Sequence, residues 1–281
     1  MATAPPVSVV VPAYNNAQYI ARTIESVLGQ SFPDLELLIA DHGSRDSTWE
    51  IINSYTHDSR VRVMRTEPGG GAQRNWNRVT GEARGEAVKL VCGDDVLYPT
   101  CVAEQLKPLQ EGSEVALVAC RRDVRDASDG LLLPDRGLPG LAGHVAGSQA
   151  IRATVLAGTN IFGEPACVLF RAEALRRAGG WSPTAEYLID LDMYVRVLQI
   201  GDMWAIPRPL AAFRVSSTQW SVALARAQAS QTVELFRGLR ASDPALVSGL
   251  DLMVGATRAY ALGAARRAAY LWWGRRLQPS R

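Results

Sequence analysis

The sequence predicts an α/β fold, a doubly wound parallel sheet flanked by helices, and three observations carry that reading. Strand, polar loop and helix alternate four times in the first hundred residues. The strands are short runs rich in Val, Ile and Leu, as strands buried on both faces require. One of them, around Val88–Val91, is released by Gly93 and followed by two adjacent acids, Asp94 and Asp95, before Pro99. Ligands of such sheets collect outside the carboxyl ends of the strands, where this pair falls.

Taken in order, Val7–Val11 is β-branched and stops at Pro12, a central strand that empties into the loop Ala13–Asn16. Ile20, Ile24, Val27 and Leu28 recur at helical spacing, so residues 17–28 form a helix. Leu35–Ala40 is a second strand, followed by the polar turn Asp41–Thr48 and a helix through Tyr55. Val61–Met64 is a third strand, and the glycines at 69–71 lead into a helix over Gln73–Thr80. Beyond the acid pair come a helix over Cys101–Leu109 and a strand over Val115–Cys120. The Gly-, Asp- and Pro-rich stretch 123–147 predicts a long loop covering or lining a site. Ser148–Leu156 reads as a short helix, 163–171 as a loop feeding a strand, and Ala172–Ala178 as a helix stopped by Gly179. Asp190–Leu198 is a helix with acids in its first turn, and Ala205–Pro207 and Leu210–Arg214 are short strands. From Trp220 the chain is helical, with a break at Ser242–Pro244.

Composition narrows the function classes. The 281 residues are 47% hydrophobic and 21% charged, the profile of a soluble globular chain. A net charge of +2 argues against a nucleic-acid partner. The cysteines Cys92, Cys101, Cys120 and Cys167 match no zinc or redox spacing, and a reducing cytoplasm is the expected setting. The apolar run Val7–Val11 is too brief to span a membrane. Near the end, Arg258, Arg266, Arg267, Arg275 and Arg276 interleave with Tyr260, Tyr270, Leu271, Trp272, Trp273 and Leu277. That pattern suits a helix lying peripherally on the inner face of an anionic membrane. It equally suits one packed on the domain or on a second subunit of a homodimer.

The alternation would bring Asn15, Asp41, Asp46, Asn75, Asp94 and Asp95 to a single crevice. Two adjacent acids closing a buried strand cost desolvation and repulsion, and a divalent metal carrying a phosphate-bearing ligand offsets both. The bland alternative for the pair is a helix N-cap, and for Asp190 a favourable place at a helix dipole. Gly69–Gly71 is not G-x-G-x-x-G and follows the third strand rather than the first; no G-x-x-x-x-G-K-[ST] occurs. Both points weigh against NAD or ATP.

Several motifs in order resemble the family 2 glycosyltransferases, inverting GT-A enzymes that use nucleotide-diphosphate sugars. They are Val7–Asn15, Ser26–Ser31, the turn Asp41-His42-Gly43-Ser44-Arg45-Asp46-Ser47-Thr48, Ala72–Asn75, Gly93-Asp94-Asp95 and Asp190–Arg196. The resemblance covers roughly residues 7–221 and implies a Rossmann-like, mixed, mostly parallel sheet. It divides the chain into a GT-A domain over 1–221, with a nucleotide-sugar half (1–99) and an acceptor half (100–221), and a helical extension over 222–281.

Carried over residue by residue, it implies that Pro12, Ala13, Tyr14, Asn15, Asp41, Arg74, Asp94, Asp95 and Arg214 bind a UDP-, GDP- or dTDP-sugar. Asp95 would hold Mg²⁺ or Mn²⁺, and Asp190 would be the catalytic base. Glu164, Trp181 and Asp192 would face a glycan, lipid-linked or small-molecule acceptor, in polysaccharide biosynthesis. Asp192 lies about 200° around the helix from Asp190, on the side of Arg196. Four places depart from the family pattern. Cys92 and His42 stand where acids are frequent, as does Ile189, and Val215-Ser216-Ser217 lacks a His that can reach the metal. These departures feed one alternative, a binding module that kept the fold and lost the chemistry. A sugar nucleotidyltransferase is disfavoured, because Pro12–Asn15 is not a Gly-rich loop.

Overall fold

The computed structural model describes residues 5–67, 69–182, 186–215 and 228–273. β1 (Val7–Ala13), β2 (Leu35–Asp41), β3 (Val61–Arg65) and β4 (Ala87–Leu90) pair in parallel in the order β3-β2-β1-β4. β1 and β2 are buried at every position, as strands covered on both faces must be. The connecting helices are α1 (Ile20–Leu28), α2 (Thr48–Ser54) and α3 (Gly71–Gly81). α1 turns Ile20, Thr23, Ile24 and Val27 inward, the stripe its sequence spacing predicts.

Chain order reverses between β1 and β4, so the switch point lies there. The β1–β4 ladder ends at Val10, whose carbonyl accepts the Val91 amide. Pro12 has no amide to extend it, yet Pro12 and Ala13 remain in register with Ala40 and Asp41 of β2. β1 therefore continues as a strand through Ala13, two residues past the expected stop. The crevice opens on the side where the proline has ended the ladder.

The second half makes the sheet mixed rather than wholly parallel. β9 (Val168–Arg171) runs antiparallel between β4 and β6 (Val115–Arg125), and β10 (Asp202–Arg214) lies parallel to β6. β9 is reversed because the loop before it delivers the chain at the carboxyl edge of the sheet. Residues 123–147 are not the expected long loop. β6 runs on to Arg125 and pairs with β7 (Leu131–Arg136), and β8 (Gly143–Val145) pairs with β10. Arg121, Arg122, Asp123 and Arg125 on the extension of β6, and the shortness of β8, hid the strand pattern. The two short strands expected over 205–214 are one, β10. Pro207 and Pro209 fall at shifts in its register with β6, where a missing amide is tolerated. β5 (Val96–Leu97), two residues on β10, is too short to leave a pattern.

α4 (Cys101–Glu111), α5 (Gly147–Ala157), α6 (Ala172–Arg177) and α7 (Ile189–Leu198) cover the sheet. α8 (Gln228–Ser242) and α9 (Gly249–Trp273) flank the break expected at Ser242–Pro244 and pack on each other, and α9 packs on α5. Gly255 makes that close approach possible: a Cβ there would meet the Val155 carbonyl oxygen at 2.3 Å. Arg152 pairs with Asp251 at 3.1 Å, and Arg258 donates to the Leu156 carbonyl at 2.8 Å. One face of α9 is thus packed on the domain, while Leu250, Met253 and Tyr260 on another are exposed. Arg275, Arg276 and Leu277 lie outside the described residues. No helix among the described residues is long and apolar enough to cross a membrane.

Candidate active site

The loops leaving β1, β2 and β4 are laced together before any ligand is considered. Asn15, in a left-handed conformation at φ 50°, donates its amide to Ser44 Oγ at 2.9 Å and accepts the Arg45 amide on Oδ1 at 2.9 Å. The Asn16 amide goes to Thr48 and the Ala17 amide to Asp46. Asp46 is therefore a strut between two loops. Gly93 lets the β4 loop lie against Asn16, since a Cβ at 93 would meet Asn16 Oδ1 at 2.8 Å.

Four carboxylates gather at this edge. The thiol of Cys92 is pushed well up by burial and then by Asp95, Asp94, Asp190 and Glu164, so all four acids lie within electrostatic reach of one side chain. Asp95 is 1% exposed; its Oδ1 accepts the Arg214 amide at 3.1 Å, and its Oδ2 is buried with no hydrogen-bond partner among the described residues. Burial, and then Asp94 and Glu164, raise its pKa well above the usual carboxylate range. Asp190, at the mouth of α7, is pushed up to about 7 by burial and by Glu164. The Leu191 amide at 2.7 Å and Asn160 Nδ2 at 2.9 Å hold its two oxygens and oppose the shift. Glu164 is itself paired with Arg122 on β6.

Other expected residues are placed differently. Asp41, expected to open the turn, is the last residue of β2 and 0% exposed, its carboxylate held by Ser44 and by Arg65 Nε at 3.1 Å. Pro12 and Ala13 are buried, leaving Tyr14, 50% exposed, as the surface of that loop. Arg214 is turned inward. Its Nε donates to the Asp94 carbonyl at 3.1 Å, a terminal nitrogen pairs with Asp129 at 2.7 Å, and its guanidinium lies 4.6 Å from the Tyr19 ring centroid. This guanidinium organises the Asp94–Asp95 loop instead of lying open to a diphosphate. Trp181 is 2% exposed, with its indole N–H on Thr80 and its ring edge against Trp76 and Phe170. It is a core residue and offers no face to an acceptor. Asp192 pairs with Arg196 at 2.7 Å, as the i,i+4 spacing predicts. Arg74 is exposed and lines a cavity of about 310 Å³ with His42, Thr66 and Asn75.

Sequence reasoning missed Asn160 and Arg122, which steer Asp190 and Glu164. The only signals were an Asn shortly after the Gly158 helix stop and a doubled Arg at 121–122. Among the described residues no three His, Cys, Asp or Glu side chains are grouped to hold a metal. The unpartnered Asp95 Oδ2 and the neighbouring Asp94 still fit a hard divalent cation. Mg²⁺-type sites use one or two carboxylates and complete their shell with phosphate oxygens and water.

A mixed α/β sheet with paired acids at its switch point is the framework of a GT-A glycosyltransferase. The family model described as glycosyl transferase family 2 matches residues 8–179, and the chain belongs to that family. It is 31% identical over 199 residues to the chondroitin synthase of Pasteurella multocida (strain Pm70), covering 70% of this chain but only 19% of the synthase. S. aureus TarS 1-349, solved with UDP-GlcNAc, superposes with a TM-score of 0.64 at 17% identity, over 85% of this chain and 66% of that one. The mannosyltransferase PcManGT from Pyrobaculum calidifontis, solved with GDP-Man and Mn²⁺, gives 0.63 at 20% identity, over 96% and 81%. Both share the fold.

Proposed function

We propose that the chain moves a sugar from a nucleotide-diphosphate sugar to an acceptor hydroxyl by an inverting, metal-assisted single displacement, with Asp190 as the base. The observation that supports this most is Asp190 at the mouth of α7, held by Asn160 and the Leu191 amide, within electrostatic reach of Glu164, and pushed up to about 7. A carboxylate near its usual pKa is a poor base; burial and Glu164 make Asp190 a stronger one at neutral pH. Asn160 and the Leu191 amide fix its oxygens, so it would accept the proton from one direction.

Asp95, with Asp94, would hold Mg²⁺ or Mn²⁺ beside the donor diphosphate. When bound, the ion neutralises charge that develops on the leaving diphosphate. Neighbours solved with UDP-GlcNAc and with GDP-Man and Mn²⁺ support a nucleotide-sugar donor of this kind. The synthase relative supports a glycan acceptor in polysaccharide assembly, of which this chain would supply one transfer unit. The division at 99 and 221 fits this reading, with the donor acids contributed before residue 99 and the base after it.

Asp95→Asn keeps size and removes the charge. Transfer measured with saturating Mn²⁺ is expected to fall on the order of 10²-fold or more with the melting temperature unchanged. Full activity of that variant, in EDTA as well as in Mn²⁺, would remove the cation from the mechanism.

A further inference from the structure

Two residues lining the cavity between the end of β2 and the start of α3 each hold an orphaned polar atom. His42 is 7% exposed and Asn75 3% exposed, and both line the cavity. Neither His42 Nε2 nor Asn75 Oδ1 has a hydrogen-bond partner among the described residues. Leaving such groups buried and unpaired costs about 1–3 kcal/mol each, so their pairing is expected to come from a ligand.

Their hydrogen-bonding sense can be read from their other ends. Asn75 Nδ2 donates to the Ala40 carbonyl at 3.0 Å, which leaves Oδ1 as an acceptor. His42 Nδ1 lies 2.8 Å from Thr66 Oγ1, and that hydroxyl is 3.4 Å from the Asp41 carbonyl oxygen. The assignment that uses every donor puts the hydrogen on Nδ1 and lets Thr66 donate to Asp41, so Nε2 is also an acceptor. Exposed Glu67 adds a third acceptor, and Arg74 and Arg78 bring donors to the same wall.

Resting on the nucleotide-sugar reading above, we infer that this cavity reads the nucleobase through His42 and Asn75 and selects guanine, making the donor a GDP-sugar. A guanine edge presents two neighbouring donors, N1–H and the 2-amino group, which two acceptors satisfy together. Its O6 and N7 are acceptors that suit arginine. Uracil and thymine present one imide N–H between two carbonyls and would leave one of the two buried acceptors unpaired. Asp41, held by Ser44 and Arg65, is not needed for this contact.

Calorimetry with GDP, IDP and UDP, each with Mn²⁺, tests the assignment. GDP is expected to bind the wild-type chain about tenfold or more tighter than UDP, and IDP, which lacks only the 2-amino group, to fall about tenfold below GDP. His42→Phe and Asn75→Leu should each weaken GDP about tenfold and weaken UDP by less. The IDP comparison needs no variant, so it stands even where a substitution fails to fold. Equal affinity for GDP, IDP and UDP, or tighter UDP, overturns the guanine assignment and leaves the transferase reading intact. No binding of any of the three overturns both.

Discussion

Asp190, the proposed base, shows what burial does to a carboxylate. Its carboxyl is raised from 3.8 to about 7, first by burial and then by Glu164. Only the ionised form can take a proton, so kcat is expected to rise with pH along a limb centred near 7. Glu164→Gln removes one source of the shift but not the burial, and the limb should move to lower pH in a pH–rate profile without vanishing. An unmoved limb would mean that another group titrates. The same shift has a stability consequence of definite sign. Asp190 favours the folded state at low pH, below the unfolded value, and that contribution is lost as pH rises through about 7. Asp190→Asn should cut turnover by about 10²–10⁴-fold with donor affinity nearly unchanged, since the base acts on the acceptor. Asp192→Asn, which breaks only the Arg196 pair, should cost less. The reverse order would move the base two residues along the chain.

At the scale of elements, α9 is held to α5 by backbone proximity. Gly255→Val would drive a side chain into the Val155 carbonyl, at a cost of about 1–3 kcal/mol in overpacking, and a thermal melt should show a drop of several degrees. An unchanged melt would mean that α9 leaves α5 freely. Beneath the site, Lys89 is fully buried and donates to Gln105 Oε1 at 2.7 Å, while Gln105 Nε2 donates to the Cys167 carbonyl at 2.7 Å. Gln105 thus pins β4, α4 and the turn before β9 together. Gln105→Leu should cost about 1–3 kcal/mol, readable as a lower urea midpoint. The elements legible in the sequence were those whose burial leaves an apolar run or a helical period, β1 to β4 and α1 to α7 among them. Those missed had a physical reason to be silent. β7 is an exposed edge strand inside a Gly-, Asp- and Pro-rich stretch, β10 is interrupted by two prolines, and β5 has two residues. The acids of the site were legible as residue types at strand and helix ends. The committed guanidinium of Arg214 and the core packing of Trp181 were not, because both depend on partners about 85 to 120 residues away in the sequence.

At the scale of the molecule, two halves of one sheet bring unlike chemistry to a shared edge. The parallel half ends in Asp94 and Asp95, and the half threaded by the reversed β9 supplies Glu164 and Asp190. With the diphosphate on the first pair and the acceptor against Asp190, attack and departure would lie on opposite sides of the sugar. One base and one displacement would then invert the anomeric centre, with no glycosyl-enzyme intermediate. The stereochemistry of the product therefore tests the central claim most directly. Proton NMR of the first transfer from an α-linked nucleotide sugar, recorded before any anomeric exchange, should show a β-linked product. An α-linked product would contradict the single displacement and remove Asp190 from the role of base.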